Sequence, residues 1–149
     1  MSANASSSDL LNIAVGVLAA AYLSLALLHV YWASGGHFGV AVAVPSVNGH
    51  FVFRPGRVAI LSVAILLGGC GVLLFAWIGV LRSGWQHASL RIPVSVLGVV
   101  MLARAIGDFR YVGFFRVVRQ TNFARMDRRL YTPFCLAAGI LIVGSAIFS

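Results

Sequence analysis

The chain has 149 residues, of which 60% are hydrophobic and 9% charged, and its mean hydropathy is +0.97. A soluble domain is about 45–50% apolar and about 25% charged. The composition therefore excludes an ordinary water-soluble enzyme, a disordered chain and a disulfide-stapled secreted scaffold, and it points to a small integral membrane protein.

All 11 basic residues are arginines, the acids are Asp9, Asp108 and Asp127, and the net charge is +8. A strongly basic chain can signal nucleic acid. Here the arginines fall between apolar runs, so membrane orientation is the simpler reading and no nucleic-acid partner is expected. The absence of lysine beside abundant Ala, Val and Gly accords with a GC-rich bacterial genome. Cys70 and Cys135 sit in apolar runs without CxxC spacing or a ligand cluster. They read as small buried hydrophobes, with no metal and no cofactor implied.

Met1 to Ser8 are mostly small and polar. No basic region precedes the first apolar run, which exceeds the about 7–15 residues of a signal-peptide core. It is expected to remain as a span over about 10–33, since a crossing helix needs about 20 apolar residues. Tyr31 and Trp32 close it as interfacial aromatics, and Ser34-Gly35-Gly36 breaks the helix. A turn-rich loop follows to Pro55. In it, the short apolar stretch Phe38 to Val44 reads as an interfacial segment, and Phe51-Val52-Phe53 is expected to pair with it as a hairpin near Val47-Asn48-Gly49.

The second span is predicted over about 57–81. Its Gly68, Gly69 and Gly71 would permit close helix approach in a bilayer, with Trp77 and Trp85 flanking the far end. A short connection containing Ser83-Gly84 leads to a third span over about 90–107, with Pro93 in its first turn. Arg104 arrives only 12 residues after Ile92, which makes this span unusual. The pattern FRYVGFFRVVR from Phe109 to Arg119 fits an interfacial amphipathic segment with snorkelling arginines. After a polar stretch, a fourth span is predicted over about 130–148. The whole reads as an all-α, integral membrane four-helix antiparallel bundle. It is taken as a single transmembrane domain over 1–149, with the interfacial segment between helices 3 and 4.

Four spans put both termini on one side and loops one and three on the other. Those loops carry Arg54, Arg57, Arg110, Arg116, Arg119, Arg125, Arg128 and Arg129, against Arg82 and Arg91 opposite. The positive-inside bias then makes loops one and three cytoplasmic and both termini external, in a bacterial inner membrane.

That topology gathers scattered polar residues at one rim: His29, Tyr31 and Trp32; Arg57; Arg104, Asp108 and Arg110; and Asp127. Asp108 follows Arg104 by four residues, a helical spacing at which the two can pair, and a lone charge in hydrocarbon would be costly. Beyond a structural ion pair, the excess arginine is suited to a phosphate or carboxylate, which its planar fork binds bidentately. His29 is the only histidine within a predicted span. A bis-histidine haem site would need a second one there, so a hydrogen-bonded bundle histidine is the plainer reading, with acid–base work as the functional one. Asp127, among Arg125, Arg128 and Arg129, reads as a solvated interfacial pair. Walker, dinucleotide, HExxH and GxSxG motifs are missing, and without an unpaired mid-depth carboxylate or an inverted repeat a stand-alone carrier is disfavoured.

Three stretches carry a family resemblance. They are His29-Val30-Tyr31-Trp32-Ala33-Ser34-Gly35-Gly36, Arg104-Ala105-Ile106-Gly107-Asp108-Phe109-Arg110-Tyr111-Val112-Gly113-Phe114-Phe115, and Phe123-Ala124-Arg125-Met126-Asp127 with Leu130-Tyr131-Thr132-Pro133. Together they resemble the signatures of domain of unknown function 3995, a set of small bacterial membrane proteins. The resemblance covers nearly the whole chain and implies a four-helix membrane protein. It implies no activity.

Three roles follow as expectations. The first is an accessory or binding module whose Arg-rich face (Arg57, Arg104, Arg110, Arg116) holds an anionic lipid, an isoprenoid phosphate or a partner subunit. The second is a membrane-embedded enzyme on a lipidic or isoprenoid substrate, with Asp108 and His29 as acid and base. The third is a structural or regulatory helper that meets another membrane protein through Gly68, Gly69 and Gly71. The first asks least of the residues.

Overall fold

The computed structural model describes the backbone at residues 2–44, 46–47, 50–51, 55–81 and 87–148, and side-chain surroundings at 7–44, 55–81 and 88–148. Arg54, Val52, Phe53, Asn48, Gly49, Arg82, Ser83, Gly84 and Trp85 lie outside the described residues.

The long apolar runs form long helices because, away from water, a helix satisfies its own backbone groups. Helix α1 covers Ser2–Ala33, α3 Arg57–Trp77 and α4 His87–Ile106. A last helical run comprises α5 (Asn122–Met126), a π-turn (Asp127–Tyr131) and α6 (Thr132–Phe148). Four helical stretches are long and apolar enough to cross a membrane: Ser7–Ala33, Arg57–Trp77, Ala88–Ile106 and Asn122–Phe148. Large apolar side chains project outward from them, among them Leu27, Ile65, Leu66, Ile92 and Ile140. In water such a surface would aggregate; in a bilayer it is the lipid-facing side. The protein is an all-α, multi-pass membrane protein.

Packing fixes the order and direction of the helices. The first pair is α1 with α3. A Cβ at Gly71 would lie 2.8 Å from Leu23 Cγ and 3.0 Å from the Ala19 carbonyl oxygen, while Gly68 faces Ala26 and Gly16 faces Ile78. As α3 advances, its contacts retreat along α1, so the two are antiparallel. The second pair, α4 with α6, shows the same behaviour: Gly98 meets Val143 and Gly139 meets Leu102. Between the pairs, Trp77 Nε1 donates to Ser145 Oγ at 3.2 Å, and Tyr22 meets the edge of Phe134. The core common to all four helices holds Val15, Tyr22, Leu74, Trp77, Val94 and Ile142. Of the expected glycine cluster, Gly71 is committed to α1 and Gly69 faces open space.

Several local expectations change. Phe38 to Val44 is not a strand: α2 (Val40–Ala43) is one helical turn opened by Gly39 at φ 79°. Among the described residues the hairpin lies after it, with β1 (Ser46–Val47) and β2 (His50–Phe51) pairing Ser46 with Phe51 and Val47 with His50. Because α4 begins at His87, Pro93 lies inside the helix rather than in its first turn. The final helical run starts at Asn122 rather than near Leu130, because Thr121 caps it: its Oγ1 accepts the Ala124 N–H at 3.0 Å. An N-cap hydroxyl of this kind satisfies one of the free donors of a helix start.

The glycine contacts predict a contrast. Gly139→Ala would place a methyl 2.6 Å from Leu102 Cγ and 3.0 Å from the Gly98 carbonyl oxygen, whereas Gly69→Ala meets nothing within 4 Å. In detergent-solubilised protein, Gly139→Ala is expected to lose about 1–3 kcal/mol of unfolding free energy, the usual cost of overpacking, while Gly69→Ala stays within about 0.5 kcal/mol of wild type.

Candidate functional site

The antiparallel order brings the end of α1, the start of α3, the end of α4 and the start of α5 to one end of the bundle. Loops one and three meet there: α2 packs on α5, and Tyr131 Oη reaches the Val42 carbonyl oxygen at 3.4 Å.

The centre of this end is Asp127, whose side chain is 0% exposed. Its Oδ1 accepts from Arg104 Nη2 at 2.9 Å. Its Oδ2 accepts from Arg116 Nη1 at 2.6 Å, from the Gly113 N–H at 3.0 Å and from Thr132 Oγ1 at 3.0 Å. An ionised carboxylate offers about four acceptor positions, and here four donors converge on it, three on Oδ2 and one on Oδ1. This corrects the expectation that Asp127 is a solvated partner of Arg125, Arg128 and Arg129. Those three point outward, with Arg125 bonded to Asn122.

The local fold explains why Asp127 turns inward. Pro133 has no N–H, and in an α-helix its ring would crowd the carbonyl of residue 129. The chain widens to a π-turn instead, with the Thr132 N–H bonded to the Asp127 carbonyl oxygen five residues back. That spacing stacks the Thr132 hydroxyl over the Asp127 carboxylate. Such single π-turns recur at functional sites.

The segment from 107 to 121 supplies the other donors. It is irregular rather than helical. Gly107 turns the chain at φ 94° and Gly113 at φ 86°. The two backbones cross so closely that a Cβ at Gly107 would lie 1.8 Å from the Val112 carbonyl oxygen. The expected Arg104–Asp108 pair is therefore absent, because the helix carrying Arg104 ends before Asp108. The Asp108 carboxylate instead gathers the loop: Oδ1 accepts from the N–H groups of Arg110, Tyr111 and Val112 at 2.7–2.9 Å. Phe109, between them, is held at φ 61°, a costly conformation for a residue with a side chain.

Arg116 departs from the expected snorkelling arginine. Its side chain is 4% exposed, and Nη1 also donates to the Gly113 carbonyl oxygen at 2.6 Å. Two guanidinium nitrogens of the network, Arg116 Nε and Arg104 Nη1, are buried with no hydrogen-bond partner. The network holds two arginines and one aspartate, so it carries a net positive charge. Arg119, whose Nε donates to the Arg116 carbonyl oxygen at 3.3 Å, and Arg128 have no carboxylate partner among the described residues. Together with Phe114 and Arg116 they line a cleft of about 210 Å³.

The remaining predicted residues take separate places. His29 is half-buried: Nδ1 donates to the Leu25 carbonyl oxygen at 2.8 Å, and the ring meets the edge of Trp32 at 4.7 Å. Trp32 Nε1 donates to the Phe38 carbonyl oxygen at 2.7 Å, and Gly36 lies against the Tyr31 ring. Trp32 and Tyr31 therefore organise the turn after α1, while the hydrogen bond of His29 stays within the helix. No hydrogen bond joins His29 to Asp108. Arg57 is exposed at the start of α3, and Arg110 lies over the Tyr111 ring at 5.2 Å. Among the described residues, no three His, Cys, Asp or Glu side chains converge as a metal site would need.

Desolvation raises the Asp108 carboxyl pKa, but the backbone hydrogen bonds lower it more, leaving it below the usual carboxylate value. A depressed folded-state pKa adds stability above the unfolded value and loses it as pH falls through the folded one. The 107–113 turn is thus expected to hold at neutral pH and loosen only below about pH 3.9. Asp108→Ala removes the shared acceptor and is expected to cost about 0.5–2 kcal/mol, as for a lost side-chain cap. Asp108→Asn keeps an oxygen there and costs less. Amide exchange at residues 110–112 measures both.

The family described as protein of unknown function (DUF3995) matches residues 22–142. No curated protein and no solved structure matches the chain.

Proposed function

Because the chain belongs to the family of proteins of unknown function DUF3995, whose description assigns no activity, we propose a role from the arginine-rich end itself: an accessory binding module of the bacterial inner membrane that holds an anionic lipid. The orientation that goes with this reading has the arginine-rich end cytoplasmic and both termini outside, as the charge bias favours.

One observation carries it. Arg57, Arg104, Arg110, Arg116, Arg119, Arg125, Arg128 and Arg129 share this end with only two carboxylates, Asp108 and Asp127. Asp127 is enclosed by its own partners, and Asp108 Oδ1 is taken up by backbone. The exposed arginines therefore face the head-group region without internal counter-charge. Phe109, Phe114, Phe115 and Val117 stand exposed among them, which suits a rim seated in the interface. Each basic residue near an anionic leaflet contributes about 1 kcal/mol.

The test is thermal unfolding of purified protein in neutral detergent with added phosphatidylglycerol or phosphatidylcholine. Phosphatidylglycerol is expected to raise the midpoint by several degrees more. Arg57→Ala and Arg110→Ala, both at exposed positions, are expected to reduce that difference. Equal stabilisation by the two lipids overturns the reading.

A further inference from the structure

We propose that the cleft formed by Phe114, Arg116, Arg119 and Arg128 is a site for a terminal phosphate group, a phosphomonoester or the end of a diphosphate. This rests on the anionic-lipid reading and narrows it to one place and one chemistry.

Three observations converge on the cleft. Its volume, about 210 Å³, is below the about 300–1,000 Å³ of pockets that enclose drug-sized molecules; it admits a head group and leaves an acyl or isoprenoid chain outside. Its deepest lining residue is Arg116, 3% exposed, whereas Arg119, Arg128 and Phe114 are exposed at its mouth. Arg116 is held in place by Asp127 through Nη1, which fixes the guanidinium of this cleft residue.

Charge then selects the ligand. Arg104, Arg116 and Asp127 sum to one positive charge, and Arg119 and Arg128 add two more with no carboxylate to answer them. One of these charges lies on the buried Arg116–Asp127 network and two stand exposed at the cleft mouth, so an anion seated there meets charge both at its base and at its rim. A phosphodiester brings one charge and two free oxygens. A phosphomonoester brings about −1.5 to −2 at pH 7 and three strong acceptor oxygens, enough for one oxygen on each of the three arginines. Arginine forks suit such oxygens in paired hydrogen bonds. Phe114 at the mouth gives the first methylenes of a lipid tail an apolar surface, and the neighbouring Phe115 is exposed as well.

The test compares phosphatidic acid, phosphatidylglycerol, inorganic phosphate and diphosphate by titration on detergent-solubilised full-length protein, read as bound lipid by native mass spectrometry and as unfolding midpoint. Phosphatidic acid is expected to bind about tenfold tighter than phosphatidylglycerol. Arg119→Ala and Arg128→Ala are each expected to weaken phosphatidic acid about tenfold, the scale of one lost charged hydrogen bond. Phosphatidylglycerol binding should weaken by clearly less in those variants, by no more than the loss of one general charge near an anionic head group. Arg91→Ala, at the opposite end of the bundle, should alter neither. If inorganic phosphate or diphosphate alone produces an Arg119-dependent shift of equal size, the site stands and its source is a soluble anion. If phosphatidic acid and phosphatidylglycerol bind alike, and Arg119→Ala and Arg128→Ala change nothing, the cleft is not the site, although a preference of phosphatidylglycerol over phosphatidylcholine would leave the broader reading intact.

Discussion

The arginine-rich end is organised around one buried carboxylate. Asp127 ties together the last turn of α4 through Arg104, the irregular segment through Gly113 and Arg116, and the start of α6 through Thr132. Placing an ion away from water costs several kcal/mol unless partners compensate it, and here two arginines, a backbone N–H and a hydroxyl do so. The arrangement is asymmetric. Removing the aspartate would leave two arginines, one of them buried, without their shared counter-charge, whereas removing one arginine leaves another in place. The same asymmetry leaves the end with surplus positive charge, on which the proposed binding role depends.

The bundle and the hub were not equally legible in the sequence. Apolar runs near the length of a bilayer crossing made the four helices readable from composition, and the glycine pattern pointed to close helix contact. The Arg104–Asp108 reading failed for a definite reason. Spacing by four residues implies a pair only if both residues are on one helix, and Gly107 ends the helix between them with a positive φ of 94°. Asp127 was hidden by its sequence neighbours. Three nearby arginines made it look solvated, yet its partners lie 11 and 23 residues away. A usable signal was present nevertheless: Pro133 near the start of an apolar run, with a threonine before it, marks where a helix can widen and an acid one turn earlier can face inward.

The two loops divide the work. The turn after α1 is self-contained, with Trp32 fastened to the Phe38 carbonyl and Gly36 packed on Tyr31. The 107–121 segment is built from backbone–carboxylate contacts at two points, Asp108 outside and Asp127 inside. Phe109, Phe114 and Phe115 remain exposed and available to the interface, while Arg116, which follows them, joins the buried network and Arg119 lines the cleft.

The most direct test is a pair of double-mutant cycles on reversible unfolding in mixed micelles, using Asp127→Asn with Arg116→Met and Asp127→Asn with Arg125→Met. The account predicts that Asp127 and Arg116 are coupled by more than about 2 kcal/mol, in the range found for close charge pairs, and that Asp127 and Arg125 are coupled by less than about 0.5 kcal/mol. Coupling of Asp127 to Arg125 that equals or exceeds its coupling to Arg116 would contradict it.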